Sequence, residues 1–171
     1  MFFFEEQIAI VQEAGLYPVI ADVGCMALCN LYLAMQADQN RDKVVCLTNL
    51  LPDGADTCIM RGQQFAYPRP IYYRRSDGAQ AREYLIVNMQ DVLKYYQFKL
   101  RQDPIESVIF TGDLGDDAFL RQVEDAIQLP VSYWNPLDEV LDPVLLNRES
   151  IDGGGLVSSL VTTLGMALRE P

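Results

Sequence analysis

An α/β fold, with one mixed sheet flanked by helices in a single lobe, is what the sequence predicts for residues 1–171. Three observations predict it. Short apolar runs of strand length alternate with longer segments of helical periodicity. Three strand runs follow one another closely, as antiparallel neighbours do, and the later ones are separated by helices. Half of the residues are apolar, enough for a full core without staples, and no run approaches the ~20 apolar residues of a membrane helix.

Each element has its own signal. Phe4, Ile8 and Val11 set a helix over residues 3–14, with Gly15 as its terminator. Residues 17–23 are short, apolar and β-branched, and predict a buried strand carrying Asp22. A second helix spans 25–36, and the polar stretch 37–42 is a loop. Strands follow at 43–49, at 57–61 after the turn Pro52-Asp53-Gly54, and at 63–67 after the Arg61-Gly62 turn. Residues 71–73 extend this, and Pro68 and Pro70 put them at an edge or in a loop. Leu85, Met89, Val92, Leu93, Tyr96 and Leu100 form one stripe on a long helix over 77–102, with Asp77 as N-cap and Pro104 as its stop. Strand 107–110, helix 116–128, strand 131–133 and helix 156–169 complete the chain. This order describes a ribonuclease-H-like layer fold.

Charge and composition exclude several functions. The net charge of −11 repels nucleic acid and anionic membrane. The chain has no histidine, which removes serine–histidine and cysteine–histidine catalysis and the usual zinc sites. Cys25, Cys29, Cys46 and Cys58 could bind zinc as four thiolates, but buried small apolar residues are the ordinary reading. They imply a reducing, cytoplasmic compartment. The start Met1-Phe2-Phe3-Phe4 runs straight into Glu5 and Glu6, without the basic region of a signal peptide.

The most informative stretch is Thr111-Gly112-Asp113-Leu114-Gly115-Asp116. An apolar strand enters it and a helix leaves it, so backbone N–H groups at that helix start could face a nucleotide. With the segments from Glu13 to Val23, Gly62 to Arg69, Asp91 to Tyr96 and Leu164-Gly165-Met166-Ala167-Leu168-Arg169, it resembles the second half of the type IV pilus assembly protein PilM family, within the actin-like ATPase superfamily. The closing-helix motif is the most specific match. The resemblance implies a single actin-like lobe lacking the family's N-terminal lobe. The actin-like domain of the type II secretion protein GspL and an FtsA-like lobe are the neighbouring resemblances.

That resemblance implies where ATP and Mg would sit, if they bind. The family's second lobe has a phosphate hairpin of the form Asp-x-Gly-x-x-x-Thr, and here Gly54 and Thr57 match it. The leading acid is Asn49 or Asp53 with the wrong spacing, Pro52 removes a donor, and Asp53 and Asp56 oppose phosphate. The family's adenosine Gly-Gly is Gly112-Asp113, and Asp113 could accept a ribose hydroxyl. Equally, Gly112 is a strand-to-helix turn and Asp113 or Asp116 a helix cap. The cofactor-binding candidates are therefore Gly54, Thr57, Gly112 and Asp113. No catalytic residue and no metal ligand is assigned.

Other features have bland readings beside sharper ones. Asp113, Asp116 and Asp117 could hold a divalent cation or complement a helix end. Arg74-Arg75 could hold phosphate or lie solvated. Gly153-Gly154-Gly155 is not a Walker loop, since no Lys-Ser/Thr follows. Tyr133 and Trp134 anchor a partner or rim the core, and Tyr72-Tyr73-Arg74-Arg75 is a candidate recognition strand.

The resemblance implies a scaffold or adaptor at the cytoplasmic face of the inner membrane, held there through a PilN-like partner or other pilus or secretion components. The alternatives are an ATPase lobe that completes its site with another chain, and an excised domain that self-associates through an apolar patch.

Overall fold

In the computed structural model, which describes residues 2–36, 40–74, 78–113, 117–140 and 156–169, the centre of the molecule is a strand buried on both sides. This is β1 (Val44–Leu51). It pairs antiparallel with β2 (Gly54–Arg61) across the two-residue turn Pro52-Asp53. On its other side it pairs parallel with β5 (Ser107–Gly112), in the register Cys46↔Val108 and Asn49↔Thr111. Outward from β2 lie β3 (Gln64–Pro68) and, further along, β4 (Ile71–Tyr72). Outward from β5 lies β6 (Val131–Tyr133), also parallel. The described sheet thus runs β3-β2-β1-β5-β6, with β4 beside β2.

Alternation along the central strands assigns the two faces. Val44, Cys46 and Leu50 meet Leu85, Met89, Val92 and Leu93 of α3 (Ala79–Lys94) and Phe119 and Val123 of α4 (Asp117–Ile127). Val45 and Leu47 face Leu28, Cys29, Leu31 and Tyr32 of α2 (Gly24–Met35) and Val161 of α6 (Leu156–Ala167). Helices on both faces of a mixed sheet answer the fold class read from the sequence. α1 (Phe2–Glu13) closes at Gly15, where Gly15 N–H donates to Gln12 O and Leu16 N–H to Val11 O, a left-handed helix stop. A short α5 (Leu137–Val140), not foreseen in the sequence, follows β6.

Two expectations are corrected. Residues 17–23 form no strand: Tyr17 is 84% exposed and Val19 74%. Their apolar, β-branched character suits a strand, but among the described residues no neighbour offers them a ladder. The long helix does not continue as an α-helix to residue 102. After Lys94 it widens into a π-helical turn over Tyr95–Lys99. The extra residue in that turn shifts later side chains around the axis, so Leu100 leaves the buried stripe and is partly exposed. Gly78 occupies the N-cap of α3. Asp77, Arg75, Asp116, Gly153–Gly155 and part of the 37–42 loop lie outside the described residues.

All four cysteines are buried free thiols. Burial pushes the thiol of Cys25 up to about 11 and that of Cys46 up to about 12, and also raises Cys58. Cys29 Sγ lies 3.0 Å from Cys58 Sγ and ties α2 to β2.

The closing-helix motif has a packing reason. A Cβ on Gly165 would run into the backbone carbonyl of Ala27, so α2 and α6 touch main chain to main chain there. Gly→Ala inside a helix ordinarily gains ~0.5–1 kcal/mol. Here Gly165→Ala is expected to cost about 1–3 kcal/mol through overpacking, read as a lower melting temperature in thermal unfolding.

Candidate functional site

The candidate residues gather where the parallel strands β1, β5 and β6 end. At the C-terminal end of a parallel sheet, strand ends and helix starts leave backbone groups for a ligand. Gly112 closes β5 with φ 86, a conformation that L side chains avoid. A Cβ there would meet Leu50 O at 2.5 Å and crowd Asn49 Oδ1. Asp113 N–H donates to Leu50 O at 3.0 Å, and Tyr133 Oη–H donates to Gly112 O at 2.7 Å. β1, β5 and β6 are thus stitched together at one point.

The Asp113 carboxylate is turned toward α6. Its Oδ1 accepts from Ser158 N–H at 3.4 Å and its Oδ2 from Ser158 Oγ–H at 3.2 Å. Ser158 is the third residue of α6, so Asp113 meets an N–H left unsatisfied at a helix start. Asn49 adds a second tie: its Nδ2 donates to Ser158 O at 3.2 Å and to Thr162 Oγ1 at 3.4 Å. Its Oδ1 and the hydroxyl of Thr111, its register partner, are buried without a hydrogen-bond partner among the described residues. Sequence reasoning weighed Asn49 only as a displaced phosphate-loop acid. Ser158 and Thr162, polar and four apart in an apolar helix, were the signal it missed.

The hairpin candidates are held by protein neighbours. Gly54 opens β2 against β4, and a Cβ there would stand 2.5 Å from Ile71 O. Thr57 is fully buried inside β2, its hydroxyl 3.3 Å from that of Thr48, its register partner. Gly54, Gly112 and Asp113 therefore share one end of the sheet, and Thr57 lies below it in the core.

This end of the molecule is acidic. Burial, and then the charge of Asp53, raise the pKa of Asp56 above its ordinary 3.8. Asp56 lies against Gly24 at the start of α2. Burial, and then the charges of Asp113 and Asp138, raise Tyr133. Among the described residues no three carboxylates or thiols converge on a metal position. A hollow of about 180 Å³ opens between Leu50, Leu51, Tyr73, Arg82, Asp113 and Phe119, below the ~300 Å³ at which small-molecule pockets begin. A roomier one of about 810 Å³ lies at the opposite end of the sheet, beside Arg41, Val44, Arg61 and Glu106, away from these residues.

Two segments that carried the resemblance also meet. Asp22 Oδ2 pairs with Arg169 beyond the end of α6, and the Asp22 side chain is 9% exposed. Trp134 is buried against Tyr32 edge-to-face at 6.4 Å, with Nε1–H donating to Glu139 Oε1. Tyr72 is exposed on β4, and Tyr73 Oη–H donates to Leu51 O.

No protein-family model matches the sequence, and no curated protein matches it. Among solved structures, 94% of this chain superimposes on a chain of the PilM-PilN type IV pilus biogenesis complex with a TM-score of 0.65 and 18% identity. The ethanolamine utilization protein EutJ from Carboxydothermus hydrogenoformans also matches over 94% of this chain, with a TM-score of 0.50 and 14% identity. The chain has the actin-like ATPase fold. At these identities the likeness is one of fold. The chain spans 56% of the length of the first and 58% of the second. Among the described residues no helix is long and apolar enough to cross a membrane.

Two variants probe this end of the sheet. Asp113→Ala is expected to cost about 0.5–2 kcal/mol by removing the cap on α6, measured by urea unfolding. For Asp56, the raised pKa means the folded state holds this proton more tightly than the unfolded chain. Its contribution is present below 3.8 and is lost as pH rises through the raised value. The melting temperature of Asp56→Asn should therefore gain on that of the unmodified chain as pH rises from about 4 to 7. A constant gap would show that burial of this carboxylate carries no such cost.

Proposed function

We propose that this chain is an adaptor of a type IV pilus assembly machine at the cytoplasmic face of the inner membrane, binding a PilN-like partner and catalysing no reaction. The observation that carries the reading is the superposition of 94% of the chain on a component of a PilM-PilN complex. The site geometry supports it from the other side. Asp113 places a carboxylate at the helix start where an anion would otherwise sit. Gly54 is spent on contact with β4, and Thr57 is shut in the core. Asp53 and Asp56 add negative charge beside the hairpin.

A second reading is a nucleotide-binding lobe that completes its site with another chain, as an ATPase or as part of a GspL-like protein. It is favoured by the hollow beside Gly112-Asp113 at the ends of the parallel strands. One paired measurement separates the two. Isothermal titration with the synthetic cytoplasmic tail of a PilN protein should give a saturable binding curve. Mg-ATP in the same buffer should leave the melting temperature unchanged. A bound nucleotide at ~100 times its dissociation constant would add ~2.7 kcal/mol, or about 5–10 °C for a domain of this size. Such a rise, or the absence of any binding of the tail, would overturn the adaptor reading.

A further inference from the structure

Away from that end of the sheet, β3 and the C-terminal turns of α3 form a face with an unusual set of features. Two hollows follow one another along β3. One, of about 290 Å³, is walled by Phe65, Ala66, Tyr96 and Leu100. The next, of about 280 Å³, is walled by Tyr67, Arg69, Asp91 and Tyr95. Tyr67 and Tyr95 stack at 5.6 Å with their planes 27° apart. Phe98, three residues on from Tyr95, is 75% exposed. Phe65, Tyr95 and Phe98 are exposed, while Tyr96 is buried and Tyr67 partly so; exposed aromatics gathered on one segment pair are the kind of surface that protein recognition uses.

The backbone here is also out of the ordinary. The π-helical turn over Tyr95–Lys99 supplies three of the aromatics, and such turns concentrate at functional positions. Just after it, Arg101 holds φ 52, a left-handed conformation that is uncommon for a residue with a side chain.

Charge then selects the occupant. Segments 61–69 and 91–103 carry Arg61, Arg69, Lys94, Lys99 and Arg101 against Asp91 and Asp103, in a chain whose net charge is −11. Arg61 is bound to Asp103. Arg69, Lys94, Lys99 and Arg101 are exposed, and among the described residues no ion pair engages them. We propose that this face docks a short, extended, acidic segment of a partner protein, whose apolar side chains enter the two hollows while its carboxylates meet the surrounding basic residues. An extended segment directs alternate side chains to opposite sides, so apolar residues at every second position can address successive hollows.

The segment docks by its side chains and does not add a strand. The register slips at Ile59/Met60, leaving Ala66 as the extra residue of a bulge, and Pro68 closes β3. A bulge and a proline are devices that blunt a sheet edge. A nucleic acid would also find aromatic and basic groups here, but the long-range field of a strongly acidic protein opposes a polyanion more than a short peptide. The surface shares no residue with the Gly112-Asp113 end and stands independently of the adaptor reading.

The test is fluorescence anisotropy with the full chain and three labelled probes. The first is a peptide of about ten residues with valine and phenylalanine at every second position of its centre, serine between them and glutamates at both ends. The second has lysine in place of each glutamate, and the third is a single-stranded oligothymidine. The glutamate peptide is expected to bind with an affinity that weakens as salt is added. Phe98→Ala, and separately Lys94→Glu with Lys99→Glu, should each weaken it at least about tenfold. These positions are exposed, so melting curves should match the unmodified chain. No anisotropy change at about 1 mM peptide, equal binding of the lysine peptide or the oligothymidine, or indifference to both variants would overturn the proposal. So would self-association abolished by Phe98→Ala in sedimentation, which would make a second copy the occupant.

Discussion

Strand β1 is buried from Val44 to Leu50 on both of its faces, and that burial dictates the rest of the architecture. A strand apolar on one face can lie against solvent, but one apolar on both needs a helical layer above and below. The α3–α4 layer and the α2–α6 layer meet this need, each supplying side chains to one alternating set of β1 residues. The parallel pairing with β5 extends the covered centre, and the antiparallel hairpin with β2 leads outward to β3 and β4.

Polar groups finish what burial begins. Where β1 and β5 end, Asn49 and Asp113 both reach Ser158, and Gly112 lets the two backbones approach. Asp22 and Arg169 pair beyond the other end of α6. α6 is thus fixed at both ends by polar contacts and near its C-terminal end by a glycine seated on Ala27. Asn49 Oδ1 and the Thr111 hydroxyl, buried there without a partner among the described residues, are the polar groups this network leaves over.

Most elements were legible in the sequence because short apolar runs and helical periodicity both report burial. The strands β1, β2, β5 and β6 were read as short apolar runs beside turn residues, and the helical stripe from Leu85 to Tyr96 from its spacing. Residues 17–23 were misread because an apolar, β-branched run looks the same whether or not a neighbouring strand exists, and pairing is not a local property. The π-helical turn was invisible for a related reason: Tyr95–Lys99 has the composition of an ordinary helix. At the candidate site, Gly112 and Asp113 stood out as turn residues, yet their partners Asn49 and Ser158 lie far away in sequence. Spacing carries no information about such contacts.

The sheet also carries an order of assembly. β1 and β2 are joined by two residues, whereas Val44 and Glu106, which meet where β1 begins, are 62 residues apart. Closing a loop of that size costs entropy before the parallel ladder returns any energy. The hairpin is therefore the pairing that costs least entropy to close. The parallel ladder closes over the longer loop, so a chain in which only the hairpin had formed would leave one side of β1 open to water and to the unfinished edges of neighbouring chains.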